Sequence, residues 1–461
     1  MTGVDSVPRR ASALVCATVA GWLVAIGAFV IVGADCLWAV ALGDRVRASG
    51  DLTPPLDFAA APVAHGWESP LALGEVILSF AHSAGSRGLV GLQLLVVGVV
   101  LSVTAAGARR VGGSAVRTAL LVSLVVVGGL PALVVTRLPL FSLLLFPILA
   151  AHLRRQYAHP SAGIWWAVGL LTLWANLHGG VLVGAALVLV HLAFGRLRVR
   201  PLESVGVAVA SLVALCATPA GLSTIGYYLG VFGNEAAQRG SDLWARPDPR
   251  HPLDALMIVS ALGLLVLLAR RRPPLWELVV LVGLVGGTAL AARNGIWLLL
   301  FAAPAAGRPV TDERERRSSY AAARRRWRPS PLPVVTGVVT AGLCVGLVST
   351  RDSAAVPGAS LVPKIRALAA GRTVLATEPV AETLAQGGVR VWACNPIDAF
   401  THPVQAAYLD FLGDGTIGPV VTGVGLVVAP TGSAVAEGLA DNPSWHKVSV
   451  VAGYEVYEPA G

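Results

Sequence analysis

Residues 11–33, ASALVCATVAGWLVAIGAFVIVG, carry no charged side chain over 23 positions, and GADCLWAVALGDRVRASGDLTPPLDFAAAPVAHGWES, residues 33–69, follows directly. An apolar run of that length spans a bilayer as a helix, because a helix satisfies its own backbone groups. Arg9 and Arg10 precede the run, which is too long for the core of a cleavable signal. It reads as an uncleaved signal-anchor and first span. The stretch behind it is the first long polar segment. It holds Asp35, Asp44, Asp51, Asp57, His65 and Glu68, with Trp38 and Trp67 among them. Acids and tryptophans just beyond a membrane helix predict a site at the membrane–water boundary.

The rest of the chain has the same character. Of 461 residues, 55% are hydrophobic and 13% charged, with mean hydropathy +0.70. Soluble domains carry about 25% charged residues. About eleven apolar segments recur, near 11–33, 88–106, 115–135, 138–151, 162–177, 180–195, 202–219, 253–269, 274–292, 295–306 and 332–350. Arginines mark every second loop: Arg9/Arg10, Arg109/Arg110/Arg117, Arg154/Arg155, Arg196/Arg198/Arg200, Arg270–Arg272 and the run from Arg308 to Arg328. The other loops hold most of the acids. This alternation predicts a multi-pass plasma-membrane protein with a cytoplasmic N-terminus and an outer C-terminus. Segments 138–151, 162–195 and 295–306 are short, and read as tilted, re-entrant or protein-buried helices.

The fold class expected is therefore an all-α polytopic membrane domain with a small C-terminal extracytoplasmic α/β domain. The membrane domain covers 1–306, with an outer loop at 34–87. A basic cytoplasmic linker, GRPVTDERERRSSYAAARRRWRPSP, fills 307–331, and 332–350 is the last transmembrane helix. In the outer loop, 36–48 has helical spacing and is expected to lie flat on the surface. Ser69–Ala84 reads as a second amphipathic helix. In 351–461, Thr373–Thr377, Val389–Trp392, Gly425–Ala429 and Val448–Tyr457 read as strands. Glu378–Gln386, Pro403–Leu412 and Ser433–Ala440 read as helices.

Candidate site residues cluster at the outer helix ends. Asp35 is a candidate base, and Asp44, nine residues on, is expected to share its side of one helix as a binding group. Paired carboxylates also suit a divalent cation, the one cofactor the pattern admits. Arg137 and Arg293 stand at outer membrane edges against the charge bias, and their guanidinium forks suit a phosphate. Asn176 and His178 sit in Trp174-Ala-Asn-Leu-His-Gly-Gly180, a tight reversal between two apolar segments, where polar groups need partners or water. Glu68, in His65-Gly-Trp-Glu68, is a further candidate for holding a sugar or lipid. Each also has a structural reading: a helix cap, an interfacial anchor, a hairpin. The scattered cysteines 16, 36, 216, 344 and 394 show no metal spacing. Gly413–Gly418 matches G-x-G-x-x-G but follows a predicted helix, which argues against a nucleotide site. No P-loop, zinc or nucleic-acid motif is present.

Several of these residues together resemble bacterial multipass proteins related to the C-type (GT-C) glycosyltransferases. The resemblance rests on Asp35-x-Leu37-Trp38 after the first helix, then Pro54-Pro55 and Trp67 followed by Leu71 and Glu75. It continues through Arg137-Leu-Pro-Leu-Phe-Ser142, W-A-N-L-H-G-G-x-x-x-G at 174–184, Ser241-Asp-Leu-Trp244 and Ala292-Arg-Asn294. It covers most of residues 10–310. The resemblance implies a GT-C-like fold and sugar transfer from a polyprenyl-phosphate donor on the outer face of the membrane, with Asp35 as base. The chain departs from the pattern at Cys36 and Ala39-Val40, where a second acid often stands, and no His follows shortly after. A non-catalytic scaffold or lipid-binding protein of the cell envelope is the alternative.

Overall fold

The computed structural model describes residues 6–240, 244–308 and 356–460, with isolated positions between 342 and 349. Most of the basic linker, the predicted last span and Ser241–Leu243 lie outside the described residues.

The membrane part is built from α1 (Ser6–Phe29), α2 (Ala34–Ser49), α3 (Ala72–His82), α4 (Gly85–Arg110), α5 (Ala115–Gly128), α6 (Leu130–Val134), α7 (Leu140–Ala158), α8 (Trp166–Ala175), α9 (Val181–His191), α10 (Pro201–Ala214), α11 (Ser223–Gly233), α12 (Glu235–Arg239), α13 (Pro252–Ala269), α14 (Leu275–Leu290) and α15 (Gly295–Ala306). Among the described residues, three helices are long and apolar enough to cross a membrane: Ser12–Phe29 within α1, α4 and α13. At 1.5 Å per residue, 26 residues carry α4 about 39 Å. Shorter apolar helices surround them. Leu202, Val205, Val209, Leu212 and Val213 on α10, and Val259, Leu262 and Val266 on α13, are exposed. Exposed apolar side chains in this number suit a lipid environment better than water. Every residue of α15 is buried. It packs against α4, α5, α13 and α14. Its shortness follows, since an encased helix need not match the bilayer thickness.

Residues 34–69 depart from the expected surface helix. In α2, Cys36 through Gly43 and Val46 are all buried. The helix is wedged against α3 and the helix Val380–Gln386 of the C-terminal unit. The apolar residues around its circumference have protein on more than one side, so no side is left for lipid.

Two very short strands, β1 (Ile31–Val32) and β2 (Val135–Thr136), pair in parallel, Ile31 opposite Val135 and Val32 opposite Thr136. They join the exit of α1 to the entry of α7.

The C-terminal unit is a four-stranded sheet flanked by helices. Strands β3 (Thr373–Ala376), β4 (Val424–Pro430), β5 (Trp445–Val451) and β6 (Tyr454–Pro459) run in the order β3-β4-β6-β5. The first pair is parallel, the others antiparallel. Helices α16 (Val362–Ala369), α17 (Val380–Gln386), α18 (His402–Asp414) and α19 (Ala434–Ala440) complete it. The single strand expected at Val448–Tyr457 is a hairpin, broken where Ala452 and Gly453 adopt φ 48° and 83°. The strand expected at Val389–Trp392 is reduced to bridges at Val391, with Val374 on one side and Ala59, from the segment after α2, on the other. Gly415 of the G-x-G-x-x-G match ends α18 in the left-handed region, at φ 81°.

The unit does not stand apart from the helices. Ala60 and Ala61 donate to Val391 and Trp392, and Ala64 donates to Ala399, each at 2.8 Å. From the other side, Arg239 pairs with Asp410 at 2.7 Å and the Glu235 amide donates to Gln405 at 2.9 Å.

Candidate functional site

The β1–β2 pairing determines the centre of the site. Gly33 continues the ladder, donating to the Thr136 carbonyl at 3.0 Å. Asp35 then opens α2 in its first turn, and Arg137 directly follows β2. The two residues are thereby brought together from positions a hundred residues apart. The Arg137 side chain lies over Gly33: a Cβ there would sit 2.8 Å from Arg137 Cγ. Asp35 is partly exposed and makes no ion pair within 4.0 Å among the described residues.

Arg293 arrives from the turn between α14 and α15. Its guanidinium lies 3.5 Å from the centre of the Trp244 ring. The Ala292 amide donates to the Ala245 carbonyl at 2.9 Å, which fastens that turn to the loop bearing Trp244. Arg293 lies within electrostatic reach of both Asp35 and Arg137.

The α8–α9 reversal supplies His178. Trp174 Nε1 can only donate, and it donates to Ser142 Oγ at 2.7 Å. The Gly180 amide donates to His178 Nδ1 at 3.1 Å. Nδ1 is therefore an acceptor, and the Ser142 hydroxyl, 2.6 Å away, donates to it. The proton of neutral His178 then resides on Nε2. Burial, followed by the charges of Arg293 and Arg137, pushes its pKa down to about 3, so the ring is neutral at physiological pH. A Cβ on Gly180 would lie 2.6 Å from Ser142 Oγ, so this arrangement requires glycine.

The remaining groups were not legible as site residues. Asp398, from the turn Ile397–Ala399, accepts a hydrogen bond from Trp67 Nε1 at 3.3 Å. Burial raises its pKa to about 6, the Trp67 bond opposes this, and the Asp35 charge adds to the rise. Glu382 on α17 is fully buried, its Oε1 accepting from the Asn395 amide at 2.9 Å. Burial raises it to about 7, with Asp35 contributing. Glu75 on α3 accepts the Ser69 hydroxyl at 2.5 Å and is likewise raised by burial to about 7. Tyr227 of α11 packs its ring 3.2 Å from where a Cβ on Gly179 would be, within electrostatic reach of Asp398, Glu75 and Asp35.

Asp35, Arg137, His178 and Arg293 thus come together, and three other expected residues stand apart. Asp44 follows Asp35 by nine residues, which at 100° each is two and a half turns and places it on the opposite side of α2. It accepts the Ser79 hydroxyl at 2.5 Å, with Arg47 at 3.9 Å. Asn176 spends its amide hydrogens on the carbonyls of Thr172 and Ala217, at 2.9 and 2.7 Å, tying the reversal to the segment after α10. Glu68 is exposed and makes no hydrogen bond among the described residues. Among those residues no three His, Cys, Asp or Glu side chains gather as a metal-ligand set. Cys36 and Cys394 are free and buried. Two hollows lie elsewhere, about 410 Å³ beside Trp165 and Trp166 and about 210 Å³ beside Arg366, Arg372 and Arg390.

No protein-family model and no curated protein matches this chain. Among solved structures it is similar to the arabinofuranosyltransferase AftD from Mycobacteria, with a TM-score of 0.51 and 14% sequence identity. The likeness covers 97% of this chain and 41% of that one, so the chain spans about two-fifths of the length of the protein it resembles. What the two share is the fold: a mostly helical molecule with apolar helices and a small C-terminal sheet, as the resemblance to C-type glycosyltransferases implies.

Proposed function

We propose that this chain is a membrane glycosyltransferase that moves a sugar from a polyprenyl-phosphate donor to an acceptor hydroxyl at the outer face of the membrane. The observation that carries the reading is the meeting of Asp35, Arg137, His178 and Arg293, from four separate helix ends, within reach of one another's charge. In the reaction, the Asp35 carboxylate takes the proton of the acceptor hydroxyl. The freed oxygen bonds to the anomeric carbon while the bond from that carbon to the phosphate oxygen breaks. The electron pair leaves with the polyprenyl phosphate, whose charge grows, and Arg137 and Arg293 stabilise it. Neutral His178 donates from Nε2 without adding charge. In this reading the shorter apolar helices complete the membrane bundle, 307–331 is cytoplasmic, and 351–461 lies outside.

The alternative is a lipid-binding scaffold of the cell envelope, which the missing second acid beside Leu37-Trp38 favours. One experiment separates them. The purified full chain is incubated with a radiolabelled short-chain polyprenyl-phosphate sugar and a glycan acceptor, and native mass spectrometry of the same sample reports bound lipid. The transferase yields labelled product that the Asp35→Asn variant does not form. Bound lipid without product in any condition sinks the enzymatic reading and leaves the scaffold.

A further inference from the structure

The reaction above uses one carboxylate, and the first outer loop has no second acid beside Leu37-Trp38. The fold brings one from the far end of the chain. We propose that Asp398, flanked by Trp67 and Tyr227, forms the acceptor subsite and holds two neighbouring hydroxyls of a glycan. The inference rests on the transferase reading for the ligand's class.

The subsite is built by backbone pairing. The Ala64 amide donates to Ala399 at 2.8 Å, Val63 bridges Phe400, and the Trp67 amide donates to Ala64 at 3.1 Å. These bonds bring the indole against the carboxylate. Asp398 accepts from Trp67 at Oδ2 and from its own backbone amide, and no other side chain donates to it among the described residues. An ionised carboxylate has room for about four donors. The Tyr227 hydroxyl has no hydrogen-bond partner among those residues either. Trp67, Tyr227, Asp398 and Asp35 are all partly exposed, whereas Glu382 and Glu75 are closed off. The open face thus combines a carboxylate with aromatic surfaces. A sugar offers the complement, hydroxyl donors on its rim and an apolar face of C–H groups.

The test uses the full chain in detergent, with methyl α-D-mannopyranoside and methyl α-D-arabinofuranoside as probes, read by saturation-transfer-difference NMR. The wild type should bind at least one glycoside. Asp398→Asn, which keeps an acceptor for Trp67, should weaken it about tenfold, and W67F should weaken it too. R137A should bind the glycoside normally and lose only polyprenyl phosphate. In transfer assays D398N should raise the acceptor KM more than it lowers kcat. Absence of glycoside binding by the wild type, or unchanged binding by D398N and W67F, overturns the subsite. Glycoside binding that depends on Asp398, with donor binding indifferent to Arg137 and Arg293, overturns the donor reading and leaves the subsite standing.

Discussion

Ser142 holds His178 in a single tautomer: its hydroxyl lies 2.6 Å from Nδ1 while Trp174 Nε1 occupies the same oxygen at 2.7 Å. The serine lies on α7 and the histidine on the α8–α9 reversal, so one hydroxyl joins two elements. Ser142→Ala would leave a buried indole donor unpaired and remove one of the two donors to Nδ1. We expect a loss of about 1–3 kcal/mol. The check is a thermal melt in detergent, with Ser142→Thr as the variant that keeps a hydroxyl. A melting temperature unchanged in S142A would show that the hydroxyl does not hold the reversal.

Gly33→Ala should displace Arg137. The added Cβ meets both Arg137 Cγ and Val135 Cγ1 at 2.8 Å. Overpacking of this kind costs about 1–3 kcal/mol. Gly21→Ala, in α1 with open space at its Cβ position, is the control. The expected pattern is weaker polyprenyl-phosphate binding and a lower melting temperature in G33A alone. Equal behaviour of the two variants would mean that Arg137 accommodates the methyl group without moving from the site.

Asp35→Asn should remove sugar transfer while leaving donor affinity within a few-fold of wild type. General-base groups contribute about 10²–10⁴-fold. The carboxamide keeps the shape of the side chain and loses its basicity and its negative charge. Donor binding by native mass spectrometry and product formation are measured on one preparation. Retained turnover in D35N would move the base elsewhere, with Asp398 the next carboxyl to examine.

Docking of the C-terminal unit against α2 should weaken as pH rises. Glu382 has a folded pKa raised from 4.5 to about 7, and Asp398 from 3.8 to about 6. A raised folded value means that the native state binds the proton more tightly than the unfolded one. Its stabilisation is full below the unfolded pKa, about 4, and is lost as pH climbs through about 6 to 7. Hydrogen exchange at Val391–Phe400 should therefore quicken between pH 5 and about 8, beyond the intrinsic rise in exchange rate. Glu382→Gln should flatten much of that dependence. Protection that grows with pH in this window would reverse the sign and refute the assignment.

Much of the molecule was legible in local pattern. The charge-free run before Phe29 and the apolar runs around Gly85–Arg110 and Pro252–Ala269 mark α1, α4 and α13 because a bilayer-length helix leaves a continuous trace in sequence. The elements Thr373–Ala376, Val380–Gln386 and Ala434–Ala440 appear where alternation and helical spacing place them. The sequence alone also located Asp35, Arg137, His178 and Arg293 at ends of apolar segments, since a charge or imidazole is costly anywhere deeper. Tertiary structure decided what those ends meet. The parallel register of 31–32 with 135–136, and the pairing of 59–64 with 391–400, are non-local and leave no periodic mark in either segment. The same pairing buries α2, whose apolar positions alone read equally well as a lipid-facing side. It also carries Asp398 and Glu382 into the field of Asp35, a placement that no spacing within the C-terminal segment encodes.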